Sequence, residues 1–378
     1  MCARQTAGIY EALGVRRVIN AAGSMTILGG SMLSPRVLAA MEEANESFVD
    51  MEELLTKSGQ VIARILGAEA ALVTSGCYAA LVLGAAGIMT GTDPARIARL
   101  PDTTGMNNEF LIQKRMRYHY DRCVTVPGGQ LVEVGDEQGT TPDQLERAIG
   151  PRTAGILYLA RMEGDPGILP IPQVVSIAHR RGVAVLIDAA AEVYPLERMR
   201  WLCQSGADLV CFGAKYFGST HSTGVLCGKK GAVEAATLNN FIAYETHDNH
   251  AIGRGYKVDR QEVVATVVAL QEWFQMNHEE RFAQQERRIH TILQALEGIP
   301  HITTQRLWER QGPWMRLMVT LNEQPLGKTA VAVQQALRQG NPSIRIRAEG
   351  NNLLIAVHTL REGEDAIVAQ HLRAALSP

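Results

Sequence analysis

One lysine and one aspartate stand where their side chains could do chemistry. Lys215 follows an apolar run and lies between Gly213 and Gly218, and Asp188 directly follows the apolar run VAVLI (183–187). A lysine shielded from water at the end of a buried strand has a lowered pKa and acts as a nucleophilic amine, for example toward an aldehyde. The alternative for Lys215 is a solvated surface charge, and Asp188 alone could be a helix cap, a metal ligand or the partner of a buried cation.

A third polar group follows another predicted strand, in the stretch TSGCYAAL (74–81). The turn Ser75, Gly76 and Cys77 leads from this strand into a helix, and the free N–H groups of a helix N-terminus bind anions such as phosphate. An aspartate that keeps a pyridine nitrogen protonated makes that ring an electron sink. The phosphate turn, the aspartate and the lysine therefore suit one cofactor that carries an aldehyde, a pyridine ring and a phosphate. Each group alone is a weak signal, and the prediction depends on their order and spacing.

The elements that must position these groups follow from the distribution of apolar residues. Short apolar runs alternate with amphipathic helical patterns of about 10 to 15 residues, which predicts an α/β fold with a mostly parallel, seven-stranded sheet covered on both faces. In such sheets ligands bind beyond the carboxyl ends of the strands, where the three groups lie. The predicted strands are 70–76, 108–113, 129–135, 154–160, 183–190, 207–213 and 222–228.

Beyond about residue 255 the pattern changes to a long helical stretch, followed by a smaller α+β part with a hairpin that turns at 349–352. We therefore expect a large domain and a small C-terminal α+β domain. The predicted parts are an N-terminal segment 1–50 that packs on the large domain or on a partner subunit, a large α/β domain 51–257, one long connecting helix 258–298 and the small domain 299–378.

Composition excludes several classes of protein. The chain has 378 residues, a formal charge of −2 and no basic run, which argues against a nucleic-acid or membrane-surface binder. The six cysteines are scattered without a CxxC pair, so we expect reduced thiols and neither a disulfide framework nor a metal site. The longest apolar stretch, 78–89, is too short to span a bilayer, and the N-terminus lacks a secretory signal. These features predict a cytoplasmic protein.

Several stretches together give the sequence a resemblance to known enzymes. It resembles the fold-type-I pyridoxal-phosphate (PLP) enzymes, and more narrowly the bacterial selenocysteine synthase (L-seryl-tRNA selenium transferase) family, whose shorter relatives include D-glucosaminate-6-phosphate ammonia-lyases. The resemblance implies the fold-type-I PLP-dependent transferase fold and PLP as cofactor. The matching stretches are VINAAG (18–23), LGAEAALVTSG (66–76), GADLVCFGAKYFGSTHSTGVLCG (206–228), GYKVDRQE (255–262) and, more loosely, IRIRAEGNNLLIAVHTL (344–360).

The resemblance assigns roles to residues of this chain. It implies that Lys215 forms a Schiff base with the cofactor, that Asp188 faces the pyridine nitrogen and that Ser75, Gly76 and Cys77 hold the phosphate. It places Arg254 near the active site, where it would bind the cofactor. The residues it implies for substrate binding are Arg117, Arg347 and His358; for the two arginines a solvated surface charge is an equal alternative.

The sequence also departs from these families. The stretch CFGAK has no serine before Lys215 to donate to the phosphate, Gly30 stands where selenocysteine synthases have an arginine, and His358 stands where relatives often have another arginine. The additional N-terminal domain with which selenocysteine synthase binds tRNA is also missing. We therefore expect a small amino compound as substrate rather than tRNA.

The resemblance implies a lyase. In this hypothesis Lys215 abstracts the α-proton of a small amino acid or amino-sugar acid, and β-elimination then leads to release of ammonia. The same chemistry also serves an aminotransferase, a racemase or an aldolase. Two other classes stay open: a non-catalytic PLP-binding protein, and a nucleotide-binding α/β enzyme, which the missing GxGxxG and Walker patterns disfavour. Because the family shares active sites between subunits, we expect a homodimer or a higher homo-oligomer.

Overall fold

The computed structural model of the chain describes residues 8–247, 249–308 and 312–377. The strands are β1 (Val18–Asn20), β2 (Ala70–Thr74), β3 (Glu109–Gln113), β4 (Gln130–Val134), β5 (Thr153–Leu159), β6 (Ala184–Asp188), β7 (Leu209–Gly213), β8 (Gly224–Gly228), β9 (Ile302–Leu307), β10 (Arg316–Leu321), β11 (Ser343–Arg345), β12 (Arg347–Glu349) and β13 (Asn352–Ala356). The helices are α1 (Ile9–Ala12), α2 (Pro35–Asn45), α3 (Met51–Leu66), α4 (Gly76–Thr90), α5 (Pro94–Arg99), α6 (Pro142–Ala148), α7 (Ile171–Arg180), α8 (Leu196–Gln204), α9 (Lys230–Thr237), α10 (Phe241–Thr246), α11 (Arg260–Gln275), α12 (His278–Leu296), α13 (Glu323–Leu326), α14 (Ala330–Gln339) and α15 (Glu364–Leu376).

These elements form two compact units. The larger unit is Ser31–Met276, and the smaller one comprises the described parts of Met1–Gly30 and Asn277–Pro378. In the described ranges, no helix is both long and apolar enough to cross a lipid bilayer.

The larger unit is built on a seven-stranded sheet in the order β2-β8-β7-β6-β5-β3-β4. Strand β8 runs antiparallel to both of its neighbours, and the other pairings are parallel. Each of the seven predicted strands is present, which confirms the predicted α/β class with a mostly parallel sheet. The carboxyl ends of the parallel strands therefore share one edge of the sheet.

Helix α4 packs on this sheet because nearly all of its residues are apolar and many of them are glycine or alanine. Most of the helix is buried. At Gly84 a Cβ atom would lie 3.1 Å from Leu186 and 3.2 Å from Leu209, so the missing side chain lets the helix approach the sheet closely. At Gly87 a Cβ would lie 2.6 Å from the backbone nitrogen of Ala236 in α9. The sequence thus fixes the position of α4, and with it the position of the turn that precedes it.

The smaller unit contains a four-stranded antiparallel sheet in the order β12-β13-β10-β9, and a separate parallel pair of β1 with β11. Helices α12, α14 and α15 accompany this sheet, as in the predicted α+β domain. The predicted hairpin is confirmed, since Glu349 pairs with Asn352 across its turn. Strand β9 was not predicted: its middle residues are polar and exposed, and the strand is specified by its pairing with β10.

The predicted single helix over 258–298 is wrong, because the chain forms α11 and α12 with a break between them. Met276 has extended backbone angles, and the side chain of Asn277 accepts a hydrogen bond from the backbone of Glu280, which caps the N-terminus of α12. The observed units divide at 30/31 and 276/277, whereas the sequence placed boundaries at 50/51, 257/258 and 298/299. The packing predicted for residues 1–50 stays a prediction.

Candidate active site

The predicted chemical groups lie at the same edge of the seven-stranded sheet. Thr74, at the end of β2, pairs with Gly224, which in turn pairs with Gly213 at the end of β7. Asp188, at the end of β6, pairs with Cys211, two residues before Gly213. The turn after β2, the end of β6 and the residues after β7 are therefore brought together, as expected from a parallel sheet.

Asp188 is a buried carboxylate whose oxygens both accept hydrogen bonds. It is 4% exposed. The backbone N–H of Ala190 donates to Oδ1 at 3.0 Å, the Cys77 thiol lies 3.7 Å from the same oxygen, and the Tyr118 hydroxyl donates to Oδ2 at 2.5 Å. Burial raises the pKa of Asp188, while these donors act in the opposite direction because they stabilise the ionised form. The side chain is thus a prepared acceptor for a further cationic or N–H partner.

Lys215 lies in a single 3₁₀ turn, Ala214–Phe217, that directly follows β7. The turn ends at Gly218, whose φ of 92° favours glycine. The Lys215 ammonium nitrogen is 5.0 Å from the centre of the Tyr216 ring, and partial burial lowers the pKa of this lysine. A lowered pKa increases the fraction of neutral amine, which is the nucleophilic form. Partial burial is compatible with the predicted nucleophile, and the role of Lys215 stays a prediction.

The turn before α4 is shaped by two glycines. Ser75 is the N-cap residue of α4, and Gly76 begins the helix with a φ of 89°. Across from it, a Cβ on Gly224 would lie 2.4 Å from the carbonyl carbon of Gly76 and 2.5 Å from the backbone nitrogen of Cys77. Only glycine at position 224 allows β8 to pass this close to the first residues of α4. Sequence reasoning missed Gly224, because a single glycine at the start of a strand is a common feature.

Tyr118 is the second site residue that the sequence did not assign. The sequence stretch YHY (118–120) is compatible both with stacking on a cofactor and with simple packing in a loop. The structure instead places its hydroxyl on Asp188, 70 residues away in the chain. Burial and the charge of Asp188 raise the pKa of Tyr118, so its phenol stays protonated and donates.

Cys77 is not activated as a nucleophile. Burial, and next the negative charge of Asp188, raise the pKa of its thiol well above the usual range. The thiol is therefore protonated and points its weak donor at the carboxylate.

The arginines predicted for binding have acidic partners in this structure. Arg117 forms an ion pair with Asp121, at 2.5 Å from Nε to Oδ2, and a second with Glu133. Arg254 pairs with Glu245 at 2.7 Å. In the smaller unit Arg347 pairs with Glu349. The binding roles of Arg117, Arg254 and Arg347 stay predictions.

His358 lies in the smaller unit, with its ring stacked on Trp314 at 4.9 Å between ring centres. Its Nε2 is 3.4 Å from the Ser24 hydroxyl. Burial, and next the positive charges of neighbouring arginines, lower the pKa of His358 to about 3. These arginines are Arg316, Arg281 and Arg288. The imidazole is therefore neutral at physiological pH, and its predicted substrate role stays a prediction.

The groups at the sheet edge fit a cofactor with three distinct functions. Lys215 offers an amine of lowered pKa for an aldehyde, Asp188 offers a buried carboxylate for a pyridine nitrogen, and the N-terminus of α4 offers N–H groups for a phosphate. In the described part of the chain, no cluster of three or more His, Cys, Asp or Glu side chains is arranged to hold a metal ion.

Comparison with known proteins yields one family and several full-length relatives. The model of the aminotransferase class-V family matches residues 127–352, a range that contains Asp188 and Lys215. A D-glucosaminate-6-phosphate ammonia lyase of Salmonella typhimurium is 32% identical, over 97% of this chain and 98% of that protein. A 5'-C-glycyluridine monooxygenase-decarboxylase of a Streptomyces species is 31% identical, over 89% of this chain and 84% of that protein.

The predicted resemblance to selenocysteine synthases is also confirmed. An L-seryl-tRNA(Sec) selenium transferase of Moorella thermoacetica is 25% identical, over 99% of this chain and 85% of that protein. Among solved structures, D-glucosaminate-6-phosphate ammonia-lyase superposes with a TM-score of 0.83 at 30% identity, over 98% of this chain and 99% of that chain. The same fold is therefore present over essentially the full length.

Proposed function

Because this chain belongs to the aminotransferase class-V family, we propose that it is a PLP-dependent lyase that releases ammonia from a small amino acid or amino-sugar acid. The observation that carries the proposal is the similarity to D-glucosaminate-6-phosphate ammonia lyase, in sequence and in fold, over nearly the whole chain. The protein is an enzyme of the fold-type-I class, and its cofactor is PLP, as the sequence predicted.

The residues at the sheet edge suit the binding of PLP. Lys215 would hold the aldehyde carbon covalently, Asp188 would accept from the pyridine nitrogen, and Ser75, Gly76 and Cys77 would offer the N-terminal N–H groups of α4 to the phosphate. This assignment is supported by the lowered pKa of Lys215, the burial of Asp188 and the close approach that Gly224 permits. Bound PLP supplies an electron sink for the bonding pair released at the substrate Cα.

In the proposed reaction Lys215 moves a proton. Once the substrate amine has taken its place, the Lys215 side chain would be the base that removes the α-proton, and partial burial, which lowers its pKa, increases the neutral fraction of that amine. Asp188 would accept from the ring nitrogen of bound PLP and would stabilise positive charge there. The proton that Lys215 removed would pass to the leaving hydroxyl, which departs from Cβ as water. One water molecule is then consumed when the nitrogen is released by hydrolysis as ammonia. The net reaction converts a 2-amino-3-hydroxy acid into ammonia and a 2-keto-3-deoxy acid, with atoms in balance.

One relative suggests the substrate class. D-glucosaminate 6-phosphate is an amino-sugar acid that carries the required 2-amino and 3-hydroxy groups, and we propose a compound of this class for this chain. The experiment is to purify the protein with PLP and measure ammonia and keto acid from D-glucosaminate 6-phosphate, D-glucosaminate, D-serine and L-serine. Equimolar ammonia and keto acid from at least one of them is the expected result.

Other outcomes of this assay separate the alternatives. Transfer of the amino group to an added keto acid, without ammonia, indicates an aminotransferase. Loss of optical activity alone indicates a racemase, and release of an aldehyde indicates an aldolase. If PLP binds but no amino compound is changed, the non-catalytic PLP-binding protein is the better hypothesis, and if PLP does not bind, the cofactor assignment itself fails.

The assembly is also part of the proposal. The segment 31–50 of the larger unit carries several large apolar side chains in contact with solvent, among them Phe48, which is 94% exposed. The others are Met32, Leu38 and Val49. Exposed apolar groups in such number mark an interaction surface, and we expect a homodimer or higher homo-oligomer. Light scattering of the protein as it elutes from a size-exclusion column measures its mass, and Phe48→Ser should shift that mass toward the monomer.

We also expect a cytoplasmic location and no nucleic-acid partner. Cell fractionation tests the location, and the ratio of absorbance at the nucleic-acid and protein maxima of the purified protein tests for bound nucleic acid.

A further inference from the structure

The buried carboxylate of Asp188 accepts a hydrogen bond from the hydroxyl of Tyr118, a residue to which the proposed function assigns no role. The Tyr118 hydroxyl donates to Oδ2, so one oxygen of the carboxylate already has a neutral O–H donor. The Ala190 N–H and the Cys77 thiol both approach the other oxygen, Oδ1. Each carboxylate oxygen accepts two hydrogen bonds, so Oδ2 can accept from a second donor while Tyr118 stays in place.

The loop that carries Tyr118 is fixed from its other side. The backbone N–H of Tyr118 donates to Asp121 Oδ2 at 3.2 Å, and Arg117 pairs with the same oxygen at 2.5 Å. Asp121 is only 3% exposed. The ion pair between Arg117 and Asp121 therefore positions the backbone of Tyr118, and the phenol reaches Asp188 from an anchored loop. A functional hydrogen bond requires a donor that neighbouring residues hold in position, and Arg117 and Asp121 hold Tyr118 in this way.

We propose that Tyr118 is a positioning residue that acts through Asp188: its hydroxyl keeps the carboxylate ionised, so that the proton between Asp188 and bound PLP stays on the pyridine nitrogen. The inference rests on the proposed function, which places the pyridine nitrogen at Asp188. A buried carboxylate without this donor has a higher proton affinity and takes the shared proton for itself. The ring then loses its positive charge and becomes a weaker electron sink.

Cys77 cannot replace Tyr118 in this role. A thiol is a weak donor, and its sulfur lies 3.7 Å from Oδ1, whereas the phenol of Tyr118 is a stronger donor and hydrogen-bonds to Oδ2. Removing the thiol should therefore change the ring nitrogen much less than removing the hydroxyl.

The test is nuclear magnetic resonance of the protein loaded with PLP that is labelled with ¹⁵N in the pyridine ring, since the ¹⁵N chemical shift separates protonated from unprotonated nitrogen. The variants are Tyr118→Phe, which removes only the hydroxyl, and Cys77→Ala. Tyr120→Phe is the matched control, because Tyr120 is 57% exposed on the same loop. Asp188→Asn serves as the reference for loss of the carboxylate. Circular dichroism and thermal unfolding show that each variant is folded.

The expected result is a pyridinium signal in the unchanged protein, in Tyr120→Phe and in Cys77→Ala, and a signal moved toward unprotonated nitrogen in Tyr118→Phe. We also expect turnover to fall about tenfold in Tyr118→Phe with little change in KM, as for a group that acts on the transition state. An unchanged ¹⁵N signal in Tyr118→Phe overturns the role of Tyr118 and leaves the proposed function intact. An unprotonated nitrogen already in the unchanged protein overturns the assignment of Asp188 as well.

If Tyr118→Phe does not fold, Arg117→Gln tests the same idea, because it loosens the anchored loop and keeps the hydroxyl. A signal moved part of the way toward unprotonated nitrogen supports the proposal, and an unchanged signal contradicts it. Tighter binding of PLP by Tyr118→Phe, with an unchanged ¹⁵N signal, also contradicts the proposal. In that case Tyr118 would only occupy the cofactor site of the apo-protein and would have no effect on the ring nitrogen.

Discussion

Gly224 of β8 lies so close to Cys77 of α4 that a Cβ atom on the glycine would be 2.5 Å from the Cys77 backbone nitrogen. The two residues are far apart in the chain, and the contact joins the antiparallel strand of the sheet to the helix N-terminus assigned to the cofactor phosphate. Because β8 is also paired with β7, the same strand fixes the turn that carries Lys215. The spacing between the turn proposed to bind the phosphate and Lys215 thus depends on a position without a side chain.

Gly224→Ala should therefore weaken PLP binding. The new methyl group meets backbone atoms, which cannot rotate away, so the start of α4 must shift. We expect the dissociation constant for PLP to rise by about tenfold or more, and the free energy of unfolding to fall by about 1–3 kcal/mol. Spectroscopic titration with PLP and denaturant unfolding measure the two effects. Gly231→Ala is the matched control, because a Cβ there has no atom within 4 Å, and equal effects in both variants would refute the steric explanation.

Lys215→Ala should abolish covalent attachment of the cofactor. In the unchanged protein, borohydride reduction followed by peptide mapping should place the pyridoxyl group on Lys215, and the variant should lack it. Ammonia release should fall by about 10²- to 10⁴-fold, because the variant also loses the general base. Lys230→Ala, at an exposed lysine, is the control and should behave as the unchanged protein does. A reduced adduct on a different lysine would show that the catalytic amine has been misassigned.

Asp188→Asn should stabilise the protein without cofactor while it removes activity. Burial raises the folded-state pKa of Asp188 above the unfolded value of about 3.9, so keeping this group ionised in the folded state costs stability at neutral pH. The amide has the same shape and no charge, and we expect a gain on the order of 1 kcal/mol at pH 7. Below about pH 3.9 the carboxyl is protonated in both states, so the gain should vanish there.

Denaturant unfolding of the apo-protein at pH 7 and pH 3.5 measures this difference. Added PLP should stabilise the variant less than it stabilises the unchanged protein. Asp143→Asn, at an exposed site, should change stability by no more than about 0.5 kcal/mol at either pH. A variant that is less stable than the unchanged protein at pH 7 contradicts the argument.

His358 should make the protein sensitive to acid. Its folded-state pKa of about 3 lies below the unfolded value of about 6.5, so the neutral ring contributes stability that is complete above pH 6.5 and is lost as the pH falls toward 3. The His358→Gln variant has no titrating group at this position. Between pH 7 and pH 4.5 its free energy of unfolding should therefore fall by about 1–2 kcal/mol less than that of the unchanged protein. His290→Gln, at an exposed histidine, is the control, and the same shrinkage there would rule out the buried ring as the cause.

The order of elements in the larger unit was predictable from the sequence, because the strands at the centre of a parallel sheet are buried on both faces and therefore read as apolar runs. The residues after β2, β6 and β7 were identified for the same reason, since polar groups directly after such runs must lie at the edge of the sheet. The sequence was less informative where elements carry no such pattern. Strand β9 is polar and exposed, and the break at Asn277 lies within a continuous helical pattern.

The sequence by itself determined that a lysine, an aspartate and a helix N-terminus end three strands of one sheet, because periodicity and glycine placement are local properties. Only the tertiary structure decided that Tyr118 donates to Asp188 and that Gly224 lies against Cys77. These contacts join residues far apart in the chain, and their geometry depends on strand order and register, which no local pattern encodes. The hydrogen-bond partners of Asp188 therefore became visible only after the sheet was assembled.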